Sequence, residues 1–189
     1  DGQGTNGSAN GNNTLALPFN QQTNLGNAFQ LITDIGGTTI VEQIAQFDRT
    51  SDGFVGYTGT AGDAFTLVSG DAYLVQLKLG VPGVNYIVVG SHNPGKTILF
   101  DGQGTNGSAN GNNFYAAPYH STASTAGDLI MELGGTTAIE QIAFLDRTTD
   151  GFVGYTGTSG DAFDLDPGRG YIVQLKLGVP NVQFVPSHF

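Results

Sequence analysis

Residues 1–13 read DGQGTNGSANGNN, and residues 101–113 read the same thirteen letters. An unchanged repeat of that length marks the chain as a tandem duplication, so every further reading has to hold for two copies. Beyond it the offset falls from 100 to 98, and residues 36–82 match residues 134–180 at 35 of 47 positions. Two extra residues therefore sit in the first copy, between Asn20 and Ala28. Many of the differences exchange one apolar residue for another, such as Val41 with Ile139, Phe47 with Leu145 and Leu74 with Ile172. Such exchanges keep burial and change shape, so these positions are expected to face a core.

Within a copy, residues 14–19 alternate with Leu15, Leu17 and Phe19 on one side, the period of a half-buried strand, and residues 114–119 are the equivalent. Residues 125–133 open on Thr125 and Asp128, place Leu129, Ile130 and Leu133 on one face, and end at Gly134 and Gly135. That pattern predicts a short capped helix, matched in the first copy by Leu25, Phe29, Ile32 and Ile35. Val41, Ile44 and Ala45 fit a helix as well as a strand, but the Asp-Arg-Thr-Ser-Asp-Gly that follows and the β-prone FVGY favour a strand and hairpin. Residues 65–79 carry two apolar runs, and the second is apolar on both faces. Residues 84–89 and 182–185 read as closing strands. Each unit then holds about six short strands and one helix, near the ~100 residues typical of small β domains. The expected fold is mainly β: two tandem homologous β-sandwich or barrel-like repeats, each with one short helix, over residues 1–93 and 94–189.

Six basic against sixteen acidic residues give a formal charge of −10, which works against phosphate backbones and anionic membranes. No nucleic-acid partner is expected, and no stretch approaches the ~20 apolar residues of a membrane-spanning helix. The chain has no cysteine, which removes disulfides and thiolate metal sites.

DRTSDG at 48–53 and DRTTDG at 146–151 set two carboxylates four residues apart ahead of a glycine. Calcium uses closely spaced carboxylates, but the later bidentate Glu of an EF-hand is missing and a hairpin turn uses Asp and Gly equally well. His92 and His188 sit in equivalent settings, whereas His120 has Asn20 as its counterpart, so no catalytic site repeats. Without a nucleophile elbow, phosphate loop or metalloprotease motif, the expectation is no enzyme, no cofactor and no metal. The 1–13 and 101–113 loops are rich in uncharged amides and hydroxyls and read as surface loops, or alternatively as glycan-binding loops. Asn6, Asn12 and Asn106 also satisfy the glycosylation pattern.

The order Leu-Pro-Phe or Ala-Pro-Tyr, short helix, I-x-x-F-D-R-T-x-D-G-F, and F-x-L-x-x-G-x-x-Y-x-V-Q resembles repeat domains of large bacterial secreted or cell-surface proteins. Phe163, Leu165, Pro167, Gly168, Gly170, Tyr171 and Val173 carry the likeness. It implies an extracellular structural or adhesive module.

The phase of the duplication gives an assembly expectation. Thr97 to Phe100 lead into the second glycine-rich loop as a strand, and the first copy has no such stretch ahead of Asp1. An open sheet edge invites strand addition. The expected contact is head to tail, with Val182, Phe184, Val185 and Phe189 of one subunit completing the first repeat of the next around Leu15 and Leu17. The functional expectation is therefore a self-associating subunit of an extracellular filament, surface layer or adhesin. A carbohydrate-binding module with a glycan partner, or a phage or virion surface protein, is the alternative.

Overall fold

The computed structural model describes residues 1–17, 20–21, 25–91 and 93–187. The first repeat contains β1 (Asn12–Ala16), β2 (Asn20–Gln21), α1 (Ala28–Ile35), β3 (Val41–Asp48), β4 (Gly53–Tyr57), β5 (Ala72–Leu77) and β6 (Gly90–Ser91). The second contains β7 (Ile98–Phe100), β8 (Asn112–Ala116), α2 (Ala126–Glu132), a 3-10 turn at Gly135–Thr137, β9 (Ile139–Asp146), β10 (Gly151–Tyr155), β11 (Gly170–Leu175) and β12 (Val182–Phe184). The chain is thus mainly β, built from two similar units with one α-helix each. Both units carry a four-stranded antiparallel sheet of the same topology, β1-β5-β3-β4 and β8-β11-β9-β10.

Both helices form where their caps place them. The Asn27 side chain accepts from the Gln30 N–H, and Gly36 ends α1 at φ 137°. Thr125 and Asp128 form the reciprocal box expected from their spacing, each side chain bonding the other's backbone N–H. Ala28, Leu31 and Ile32 of α1, and Ala126, Leu129 and Ile130 of α2, are buried against the sheets. Fully burying one Leu or Ile stabilises by roughly 1.5–3 kcal/mol, so the two in each helix offset the weak intrinsic stability of a helix this short.

The helix-like spacing of Val41, Ile44 and Ala45 has a local cause. In the ladder between β3 and β5, Val41 faces Leu77 and Gln43 faces Gln76, leaving Glu42 as an extra residue. This bulge turns Val41 and Ile44, three apart, onto the same core. The same irregularity occurs between β9 and β11, where Ile139 and Gln141 face Leu175 and Gln174.

The two apolar faces of β5 and β11 have separate destinations. Tyr73, Val75 and Leu77 join the core under α1, and Tyr171, Val173 and Leu175 join the core under α2. Ala72 and Leu74 point the other way, where Ala72 meets Ala16 and Ala116 while Leu74 meets Ala45 and Leu145. Sheet packs on sheet between the repeats, so the layers run helix, sheet, sheet, helix. Small residues let the sheets approach closely: a Cβ on Gly170 would lie 2.7 Å from the Ala72 Cβ and 2.7 Å from the Phe114 ring.

Three segments differ from the sequence reading. The strands expected over 14–19 and 114–119 begin earlier and end at Ala16 and Ala116, and Pro18 and Phe19 lie outside the described residues. The first apolar run of 65–79 forms only an isolated bridge, Thr66 to Asn27. Residues 84–89 form no strand, although their counterpart β12 does. The difference is the partner: β12 pairs with β7, whereas residues 84–89 pair with no strand among the described residues.

Candidate functional site

The most polar segments of the sequence meet the DRTxDG hairpins, and they do so across the repeats. Each hairpin turn holds its second carboxylate residue at positive φ, 54° at Asp52 and 57° at Asp150, a conformation open to Asp in tight turns. Asp150 accepts from the Asn10 and Asn12 side-chain amides at 2.8 and 2.7 Å. Asp52 accepts from Asn110 and Asn112 at 2.7 and 2.8 Å. The Ala9 N–H donates to the Arg147 carbonyl, and the Ala109 N–H to the Arg49 carbonyl, both at 2.8 Å. Arg147 pairs with Asp1, and Arg49 with Asp101. Each of these contacts thus occurs twice with the repeats exchanged, the signature of a two-fold, isologous interface formed inside one chain.

The partner carboxylates differ in burial. The Asp101 side chain is 5% exposed and Asp1 17%. Asp101 also accepts from Asn106, and its own N–H donates to Asn113. Tyr73 and Tyr171 close the turns ahead of their strands: the Val68 and Asp166 N–H groups donate to their hydroxyls at 2.7 and 2.6 Å. Burial pushes the Tyr73 hydroxyl up to about 12, so it stays neutral and available as an acceptor.

The two carboxylates of each DRTxDG motif have different work. Asp48 braces its own turn, accepting from the Ser51 hydroxyl and from the Thr50 hydroxyl and N–H at 2.7, 2.7 and 3.0 Å. These bonds, Ser51 first, hold its carboxyl at about 2. Asp146 is lowered in the same way by Thr148 and then Thr149. The other carboxylate, Asp52 or Asp150, clasps the opposite repeat. Sequence reading missed this role because the partners stand 58 to 140 residues apart. The signal available was the coincidence of two identical loops with two near-identical hairpins.

A cleft of about 650 Å³ opens beside this interface. Leu15, Ala16, Leu17, Tyr86 and residues 88–91 line one side, and residues 117–120 with Pro167 and Gly168 the other. Tyr86 is anchored by a 2.7 Å hydrogen bond to Asp34, and burial, then Asp34, raises its hydroxyl above the ordinary tyrosine range. Tyr119 is 71% exposed here. Of the residues expected to make an assembly contact, Leu15 and Leu17 line this cleft, with Leu17 buried. Val182 and Phe184 lie instead in β12, paired with β7 of their own repeat, where Phe184 is buried beside Phe100 and Tyr115. Val185 is half exposed, and Phe189 lies outside the described residues, as do His92 and His188. The structure therefore brings Leu15 and Leu17 to one site and places Val182 and Phe184 at another.

No helix of the described residues is long and apolar enough to cross a membrane. No family model, curated protein or solved structure matches the chain.

Proposed function

We propose that the chain is a non-catalytic structural module of an extracellular or cell-surface assembly, a filament, surface layer or adhesin, in which modules join head to tail. The observation that carries this reading is the reciprocal clasp between the repeats. Asn10, Asn12, Asn110 and Asn112 with Asp52 and Asp150, among the side chains with the most chemistry to offer, are engaged in holding one repeat against the other. Their hydrogen bonds turn two small domains into one stiff block, the property a load-bearing or lattice-forming repeat requires. The sparse charge and the resemblance to bacterial surface repeats agree with it. Electron microscopy of the concentrated full chain tests the reading. Ordered linear or sheet-like polymers are expected, and a protein that stays monomeric at every concentration would contradict it.

A further inference from the structure

The clasp places an Asn-Gly step at its centre in both repeats, and each half of that step is fixed for a different reason. Asn10 and Asn110 supply the amides that donate to Asp150 and Asp52 at 2.8 and 2.7 Å. Gly11 and Gly111 follow them at φ 72°, and a Cβ there would lie 2.5 Å from the Leu77 carbonyl oxygen and 2.9 Å from that of Leu175. Nothing larger than glycine fits, because the backbone is left-handed and the opposing atom is main chain. In an Asn-Gly step the glycine nitrogen reaches the asparagine side-chain carbonyl carbon with no Cβ in its way. The closed clasp ties both reacting groups: the Asn10 amide bonds Asp150, and the Gly11 N–H donates to the hydroxyl of buried Ser8 at 3.1 Å. Asn110 and Gly111 are held in the same way by Asp52 and buried Ser108. Asn10 and Asn110 are exposed, so water reaches them.

We propose that Asn10 and Asn110 are sites of spontaneous deamidation gated by the clasp, and that the change holds the clasp open once it has occurred. When the loop opens locally, the Gly11 nitrogen attacks Cγ of Asn10, and an N–Cγ bond forms as the Cγ–Nδ2 bond breaks. Ammonia leaves with the Nδ2 nitrogen and the proton of the Gly11 N–H. Water then opens the cyclic imide, its hydroxyl going to carbon and its remaining hydrogen to nitrogen, with no change of oxidation state. Cleavage at Cγ gives aspartate, and cleavage at the main-chain carbonyl carbon gives isoaspartate. Either product sets a second carboxylate against Asp150 where an amide donor stood. An ionised carboxylate has no proton to donate, and two at this spacing repel. Isoaspartate also adds a carbon to the main chain just ahead of Gly11, whose carbonyl accepts from the Leu77 N–H at 3.0 Å. The fold demands the glycine and the clasp demands the amide, so the labile step is built into the joint between the repeats.

Asn6, also followed by glycine, serves as an internal reference, because its amide donates to Asp1 within its own repeat at 2.8 Å. The full chain is held at mildly alkaline pH and sampled over time by peptide mass mapping and amide hydrogen exchange. Conversion at Asn10 and Asn110 is expected to run at least about tenfold slower than in a synthetic GSANGNN peptide, since it waits on local opening. The converted fraction should lose exchange protection at the Ala9 or Ala109 amide. Asp150→Asn, which keeps a residue tolerant of positive φ, should speed conversion at Asn10 by about threefold or more and leave Asn6 unchanged. Asn10→Asp, the product made directly, should unprotect the Ala9 amide while circular dichroism stays native. Conversion at Asn10 as fast as in the peptide, or none there while Asn6 converts, would overturn the proposal. So would equal acceleration of Asn6 and Asn10 by Asp150→Asn, or an Asn10→Asp chain whose Ala9 amide stays protected.

Discussion

Phe54 and Phe152, which occupy the same position in the two repeats, stack on each other with ring centroids 6.1 Å apart and planes 6° apart. Contact between equivalent residues is the mark of a two-fold axis, and the paired Arg–Asp and Asn–Asp contacts fall on either side of it. Symmetry breaks nearby: Phe114 sets its edge on Phe54 at 5.3 Å, and the residue at its place in repeat one is Thr14. One interface therefore accepts two slightly different surfaces, as expected of a duplicated self-pairing unit.

The stacked pair is expected to be energetically coupled. Phe54→Ala and Phe152→Ala combined in a double-mutant cycle should show a coupling of about 0.5–1.5 kcal/mol, the usual range for aromatic pairs. Urea unfolding of the two single variants and the double variant measures it. A coupling of zero would mean that the rings contribute only their separate burial.

Arg49→Ala should cost more than Arg147→Ala. Removing Arg49 strands the nearly buried Asp101 carboxylate, at an expected loss of about 2–3 kcal/mol. Asp1 is more exposed, and water replaces much of what Arg147 supplied, so that loss should stay near about 1 kcal/mol. Denaturant midpoints of the two variants decide the order, and a reversed order would contradict the burial argument.

Gly170 is expected to resist enlargement. A valine there drives its side chain into Ala72 and Phe114, and overpacking of this kind costs typically about 1–3 kcal/mol. Ala72→Gly in the same chain should recover part of the loss, because it removes the obstructing methyl that comes from the opposite repeat, whereas Phe114 belongs to the same sheet as Gly170. No recovery in thermal unfolding would place the strain outside the inter-repeat contact.

The hairpin brace should persist in acid. Because the folded carboxyl of Asp48 lies at about 2, below its ordinary 3.8, its contribution is present above about pH 3.8 and is lost as pH falls toward 2. Carbon-13 chemical shifts of the Asp48 carboxyl should therefore titrate near 2 in the native chain. Ser51→Ala, which removes the foremost hydrogen bond, should move that titration upward. A midpoint unchanged by the substitution would show that Ser51 is not the cause.

Local chemistry was readable from residues close in sequence. Thr125 and Asp128 announced a helix start, FVGY after DRTSDG announced a hairpin, and the duplication fixed two units of one topology. The double-sided apolar pattern of residues 72–79 was visible, but its second face needed the other repeat to explain it. Two things stayed hidden for physical reasons. The bulge at Glu42 shifts the strand period by one residue, so Val41 and Ile44 looked helical. The glycine and asparagine loops looked solvated because their partners, Asp52 and Asp150, lie in the opposite repeat and nothing in local sequence announces a contact so distant. Val182 and Phe184 were legible as an apolar strand, but their pairing with β7 inside the same repeat was not.

The clasp between repeats is tested most directly by nuclear Overhauser contacts in a dilute, monomeric sample of the full chain. Cross-repeat signals are expected between the Phe54 and Phe152 rings, between the Ala9 amide and the Arg147 backbone, and between the Ala109 amide and the Arg49 backbone, the last two with similar intensity. Spectra in which residues 9, 54 and 109 show contacts only within their own repeat would contradict the paired-repeat account.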